Sequence, residues 1–259
     1  MSDFIKKYWE NQGNKYRGSH EASWGDFYAI NLEIETIGIH LGESQTILDA
    51  GCANGFSTFK QWDTKKLKQI YGIDFSSSMI DSANNEKIAR GLENEVLFSC
   101  QDIRYLNFED DFFDVVYTTR VIINLPNWNE QKTAIDECIR VTKPGGKIIL
   151  SEAFWEPLIL LNSLRSLVHL SPLVEHDFNR YLKKSYLEDY LNQKGLNFYV
   201  EDFSSVYYLG SRFLRELIIN VNDYPGYINP VNEKFYEMEK IFSGGGFGIQ
   251  QAYIITKSK

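Results

Sequence analysis

The 259-residue sequence predicts an α/β domain built on a doubly wound, mainly parallel sheet. Three observations carry this reading. Short apolar strands alternate with amphipathic helices, a glycine-bearing turn follows the first strand, and strands separated by helices pair through crossovers rather than as hairpins. Apolar residues make up 43 % and charged residues 24 %, as in an ordinary globule. One domain is expected over 1–259, with a cap and helix at 1–41, a helical lid insertion at 152–185 and a second insertion at 204–249.

The elements follow in order. From Asp26 to Leu41, the residues Phe27, Ile30, Ile34, Ile37 and Leu41 recur at helical spacing, and Gly42 offers a stop. Thr46 to Ala50 reads as a strand, Gly51 to Gly55 as a tight turn, and the segment through Gln61 as a helix. A strand near Gln69 to Ile73, a helix from Ser77 to Ala89 and a strand near Glu95 to Ser99 repeat the unit. Asp114 to Thr118 is the fourth strand, Trp128 to Val141 a helix, Lys143 to Gly146 a turn and Lys147 to Ser151 the fifth strand. Beyond Glu152 the regularity loosens. A Leu-rich helical stretch leads to a polar turn at Glu175 to Arg180 and a helix at Tyr186 to Gln193. Strands at Asn197 to Phe203 and Gln251 to Lys257 enclose a helix near Arg212 to Asn220.

A net charge of −8 gives no general attraction to nucleic acid or anionic lipid. Cys52, Cys100 and Cys138 have no paired spacing, and the N-terminus lacks the apolar core of a signal peptide, so a cytoplasmic protein is expected. The stretch from Phe154 to Val174 contains Glu156, Pro157, Arg165 and Pro172 and is too polar to span a bilayer. His20, His40, His169 and His176 show no metal-ligand spacing. Gly244 to Gly246 lacks the Lys-Ser/Thr of a phosphate loop.

The strongest chemical signal is Asp49-Ala50-Gly51-Cys52-Ala53-Asn54-Gly55 at the carboxyl end of the first strand, the edge where open α/β sheets bind ligands. A dinucleotide loop would carry a second glycine where Ala53 stands. Asp49 would repel a pyrophosphate but attract the ammonium of a cationic cofactor bearing an amino acid. S-adenosylmethionine has that charge pattern. Asp74, ending the second strand, suits ribose hydroxyls, with Phe75 and Met79 against adenine. After the third strand, Gln101-Asp102-Ile103 places a carboxylate for the adenine amino group beside an apolar cover.

Together with Phe113 to Tyr117 and Val141 to Lys147, these motifs resemble the class I methyltransferases over about Tyr8 to Leu150. The resemblance implies a Rossmann-like, seven-stranded sheet whose last strand is antiparallel. It also implies S-adenosylmethionine as cofactor and S-adenosylhomocysteine as product. It assigns Asp49, Gly51, Cys52, Ala53 and Gly55 to the methionine end, Asp74 to ribose, and Asp102 with Ile103 to adenine. Thr119, Arg120 and the residues through Pro126 would face the methionine moiety and the acceptor, and Tyr16 or Arg17 in the cap would hold the cofactor carboxylate.

A small-molecule acceptor is expected, with O-methylation of a sugar, sugar nucleotide or surface-glycan precursor ahead of N-methylation. A cofactor-binding regulator without catalysis is an alternative, and the glycine loop argues against a nicotinamide oxidoreductase. Arg-Val-Ile-Ile-Asn-Leu-Pro with Trp128 also resembles methyltransferases of bacterial surface-glycan pathways. Asn124, Arg165, Asn179, Arg180 and Tyr181 supply polar groups for the acceptor, and His176 or His20 a general base for a hydroxyl. The oligomeric state is left open.

Overall fold

In a computed structural model that describes residues 3–258, seven strands form one sheet in the order β3-β2-β1-β4-β5-β7-β6. They are β1 (Thr46–Ala50), β2 (Gln69–Asp74), β3 (Val96–Cys100), β4 (Phe113–Thr119), β5 (Thr142–Ala153), β6 (Asn197–Glu201) and β7 (Gln250–Thr256). The first five pair in parallel, and β7 runs antiparallel to β5 and β6. The expected domain and cap begin, as described, at Asp3; residues 1, 2 and 259 lie outside the described residues. No described helix is long and apolar enough to cross a membrane.

β1 is buried along its whole length, as a central strand covered on both faces must be. Helices α3 (Phe56–Thr64), α4 (Ser77–Arg90) and α5 (Trp128–Val141) make the crossovers. Helix α2 (Phe27–Ile39) starts on the Asp26 cap, whose carboxylate accepts from the Ala29 N–H, and ends at His40, before the expected glycine. The turn expected at Lys143 to Gly146 is drawn into β5. It opens a register shift between Phe113, which pairs with Thr142, and Val115, which pairs with Lys147.

The remaining helices are α1 (Asp3–Tyr16), α6 (Trp155–Leu167), α7 (Lys184–Gln193), α8 (Ser205–Leu209), α9 (Arg215–Ile218) and α10 (Pro230–Glu239), of which α1, α6 and α8 contribute to the walls over the sheet edge. A π-helix at Gly210–Leu214 joins α8 to α9. Neither α1 nor α10 is evident from periodicity. Helix α1 is anchored through Glu10, whose carboxylate accepts from the N–H groups of Ser77 and Ser78 at 2.8 and 2.9 Å. That satisfies open donors at the start of α4 and places a negative charge at the positive helix end.

Candidate active site

Two cavities meet above the carboxyl ends of β1 to β4. The first is a narrow groove. Its inner part is lined by the Gly51 to Asn54 turn, Asp74, Thr119 and Arg120, and it continues past Gly51, Asp74, Phe75 and Val121 to a pocket edged by Gln101, Asp102 and Ile103. The turn exists because Gly51 takes φ +100° and Ala53 φ +48°, while the N–H groups of Gly51 and Cys52 both donate to the Ile73 carbonyl. A Cβ on Gly51 would lie 2.6 Å from the Val121 Cβ. The close approach that glycine permits is therefore to the loop after β4 as well as to a ligand.

Asp74 is fixed from the backbone, accepting from Ala53 N–H at 3.1 Å and Ser76 N–H at 2.9 Å. Burial pushes its carboxyl up to about 6 despite those donors. It lines the groove at the second strand end, where ribose hydroxyls were expected. Asp102 edges the groove too, but its carboxylate is forked onto Arg104, whose other side meets Glu130. The Gln101 amide is engaged by Ser99 and Asn107.

Several expectations are corrected by this geometry. Asp49 is fully buried, lines neither cavity, and accepts from the Thr58 hydroxyl at 2.6 Å. Burial pushes its carboxyl up to about 7, and it lies beneath the turn rather than on the groove wall. It instead ties α3 to the sheet beneath the turn. Met79 is buried in the first turn of α4 and does not line the groove, and Gly55 caps α3 against Phe59 and Phe98. Arg17 is exposed, its carbonyl accepts from the Asn54 amide, and it lines neither cavity. Tyr16 lies under the Lys15 ammonium, 4.5 Å from its ring centre, and lines neither cavity.

The second cavity, about 500 Å³, lies between α1, the loop before α2, the 173–181 loop and the π-helix. Aromatic side chains form much of its wall, among them Tyr8, Trp9, Trp24, Tyr181, Tyr208 and Tyr227. Trp9, Ser23, Arg120 and Asn124 line both cavities, so the groove and the larger cavity join there. Asn124 is 5 % exposed; its Nδ2 donates to the Arg120 carbonyl at 2.6 Å, and its Oδ1 is buried without a partner. Because a carbonyl accepts only, that bond fixes which amide atom is which.

Of the other expected residues, Asn179, Tyr181 and His176 line this cavity. Burial pushes the Tyr181 phenol up to about 12. The His176 ring packs on Phe178, 4.3 Å between centres, at the exposed mouth. His20 is wedged between Phe27 and Phe56 and lines neither cavity. Arg165 is 4 % exposed, paired with Glu216 and bonded to the Arg212 and Ser171 carbonyls. Arg180 points outward and binds the Asp177 and Asn179 carbonyls. Neither arginine lines this cavity.

Residues that sequence reasoning missed hold the site in shape. Glu33 is fully buried on α2, accepting from Ser151 at 2.7 Å and from Arg120 Nε at 3.3 Å, and burial pushes its carboxyl up. An acid on the apolar face with Ala29, Ile30 and Ile37 was the available signal. Glu152, at the end of β5, accepts from the Thr118 hydroxyl and from the N–H groups of Val121, Ile122 and Ile123. Burial pushes it up to about 7. It fixes the loop that carries Arg120 and Asn124.

Comparisons with known proteins agree with the groove. Residues 48–150 match the family model described as a methyltransferase domain. A ubiquinone biosynthesis O-methyltransferase of Coxiella burnetii is 25 % identical over 211 residues, covering 80 % of this chain and 83 % of the relative. A demethylmenaquinone methyltransferase of Renibacterium salmoninarum is 31 % identical over 121 residues, 47 % of this chain and 46 % of the relative. Among solved structures, geranyl diphosphate C-methyltransferase from Streptomyces coelicolor A3(2), in complex with Mg2+, geranyl diphosphate and S-adenosyl-L-homocysteine, covers all of this chain and 99 % of its own at TM-score 0.63 and 12 % identity. The [4+2]-cyclase SpnF covers 87 % of this chain and 80 % of its own at TM-score 0.59 and 21 % identity. These likenesses show the fold.

Proposed function

We propose that this class I S-adenosylmethionine-dependent methyltransferase methylates a hydroxyl on a small planar acceptor, of hydroxyaryl or hydroquinone type, held in the aromatic cavity. The observation that carries the reading is the Asn124 Oδ1. A buried acceptor atom left without a donor costs roughly 1–3 kcal/mol, and the residue that carries this one lines both cavities, so a small turn of its side chain brings the oxygen to their junction. An acceptor hydroxyl supplies the missing hydrogen. A carbon nucleophile would not, whereas an amine could, and the names of the sequence relatives favour the hydroxyl.

The groove fits the cofactor in kind and order: an apolar pocket from Phe75 and Ile103 beside Asp102, then Asp74, then the Gly51 to Asn54 turn with Thr119 and Arg120. When bound, S-adenosylmethionine supplies an electrophilic methyl on a sulfonium. The protein's task is to align the nucleophile and exclude water. Trp9 and Trp24 line the junction, and Asn124 accepts from the hydroxyl in the ground state and so orients its oxygen. As the methyl–oxygen bond forms the released proton passes to water, with His176 on the wall of the same cavity as the side chain that can receive it.

The expected sugar or glycan precursor is the weaker reading, because Arg165 and Arg180, which were to bind it, are engaged elsewhere. The quinone-pathway names of the sequence relatives support an aromatic acceptor instead. The test is formation of S-adenosylhomocysteine with catechol and hydroquinone against methyl glucoside and UDP-glucose. Turnover with the phenols and none with the sugars is expected. Turnover with the sugars alone would overturn the reading.

A further inference from the structure

The acceptor cavity contains a cation that neither the sequence nor the fold comparison singles out. Arg212 lies within the π-helix Gly210–Leu214, where the wider turn redirects side chains and where functional sites are often found. That turn is pinned by α10, since a Cβ on Gly210 would lie 2.1 Å from the Phe235 ring. The Arg212 carbonyl is held by Arg165 Nη1. Its guanidinium then crosses to Asp26, the fully buried cap of α2, and donates also to the Ser211 hydroxyl at 2.9 Å.

Asp26 is itself shared. It accepts from the Tyr207 hydroxyl at 2.6 Å and from the Ala29 N–H at 3.2 Å as well as from Arg212. Two N–H groups of Arg212 are taken by Asp26 and Ser211, and its side chain lines the cavity with the others. The guanidinium lies 4.6 Å from the Tyr227 ring centre and 5.2 Å from that of Tyr208, and both rings line the same cavity. A planar cation stacked on aromatic walls with donors left over is suited to a carboxylate, which a guanidinium binds in a fork.

We infer that Arg212 forms an anion subsite in the acceptor cavity and selects acceptors that carry a carboxylate on a planar ring. This rests on the reading of that cavity as the acceptor site, and it adds a second point of recognition to Asn124. Glu175 and Asp177 line the same cavity, on the 173–181 loop. Glu175 is engaged by the Tyr181 N–H, and Asp177 is exposed at the mouth. The inner wall carries the two arginines, Arg120 and Arg212.

The experiment is calorimetry on the full chain saturated with S-adenosylhomocysteine, titrated with benzoate, 4-hydroxybenzoate and benzamide. Both carboxylates are expected to bind roughly tenfold or more tightly than the amide, the size of one charge-assisted contact. Arg212→Lys, which keeps a charge for Asp26 but not the planar fork, is expected to erase the preference with the cofactor product still bound. Equal binding of benzoate and benzamide by the wild type would overturn the subsite without any variant. So would a preference unchanged in Arg212→Lys. Carboxylate preference combined with no methyl transfer to any phenol would leave the subsite standing and contradict the hydroxyl reading alone.

Discussion

The cofactor groove and the acceptor cavity share an edge but are made differently. The groove is built by the turns that follow β1, β2, β3 and β4, with the backbone doing most of the shaping. The cavity is built by side chains from α1, the loop before α2, the 173–181 loop, the π-helix and Gln250. Two of its polar side chains, Arg120 and Arg212, are each held by a buried carboxylate of α2, Glu33 and its cap Asp26. Helix α2 is therefore the bracket of the acceptor side, and strands β1 to β4 are the bracket of the cofactor side. The groove sits on the regular part of the fold, and the aromatic cavity proposed for the acceptor sits on the irregular part.

The groove should break most completely through Gly51. Gly51→Val combines a left-handed backbone with a clash into Val121, and binding of S-adenosylhomocysteine is expected to fall beyond detection, a loss of more than ~4 kcal/mol. Calorimetry on material with a native circular dichroism spectrum checks it; retained affinity would remove Gly51 from the site.

Next in size is the α2 bracket. Glu33→Gln leaves Arg120, itself largely buried, without its partner charge, and a stability loss of about 3 kcal/mol is expected from breaking a buried pair. Urea unfolding measures this. A change below about 0.5 kcal/mol, the scale of an ordinary surface substitution, would mean that Glu33 does not hold the cavity.

The regular part was readable because its spacing is a property of the fold. Gly51, Asp74, Phe75, Asp102, Ile103, Thr119 and Arg120 all come to the groove, as strand ends in a parallel sheet must. Asp49 misled for a physical reason: its position was right, but a strand residue alternates faces, and its side chain went under the turn to Thr58. The cavity was largely illegible. Arg165 and Arg180 looked like ligands by type, and Arg212 looked like one helix residue among others, because a π-turn leaves no periodic trace. Asn124 stood at a legible place, four residues beyond Arg120 after β4.

Asn124→Leu should lower turnover on a phenolic acceptor about 10²-fold, on the scale of a lost positioning or proton-transfer contact. The rate of S-adenosylhomocysteine formation reports it, and wild-type turnover would contradict the role given to Oδ1. A smaller effect concerns pH. Glu152, pushed up to about 7 by burial from an ordinary 4.5, keeps a proton in the folded state that the unfolded chain has released. Stability therefore falls as pH rises between those values, by up to about 1.4 kcal/mol per unit for this one proton. Glu152→Gln is expected to flatten the urea-derived slope over that window, and a slope unchanged by the substitution would show that Glu152 is ionised throughout.

The division between the two regions is tested most directly by S-adenosylhomocysteine affinity, which requires no knowledge of the acceptor. Titrations of Asn124→Leu, Arg212→Lys and Asp74→Ala against wild type would decide it. The first two variants are expected to bind within about threefold of wild type, under ~1 kcal/mol. Asp74→Ala is expected to lose roughly tenfold or more, the worth of a hydrogen bond to a charged group. Loss of affinity in the cavity variants to the same degree as in Asp74→Ala would contradict the account, because it would make the two cavities a single cofactor site.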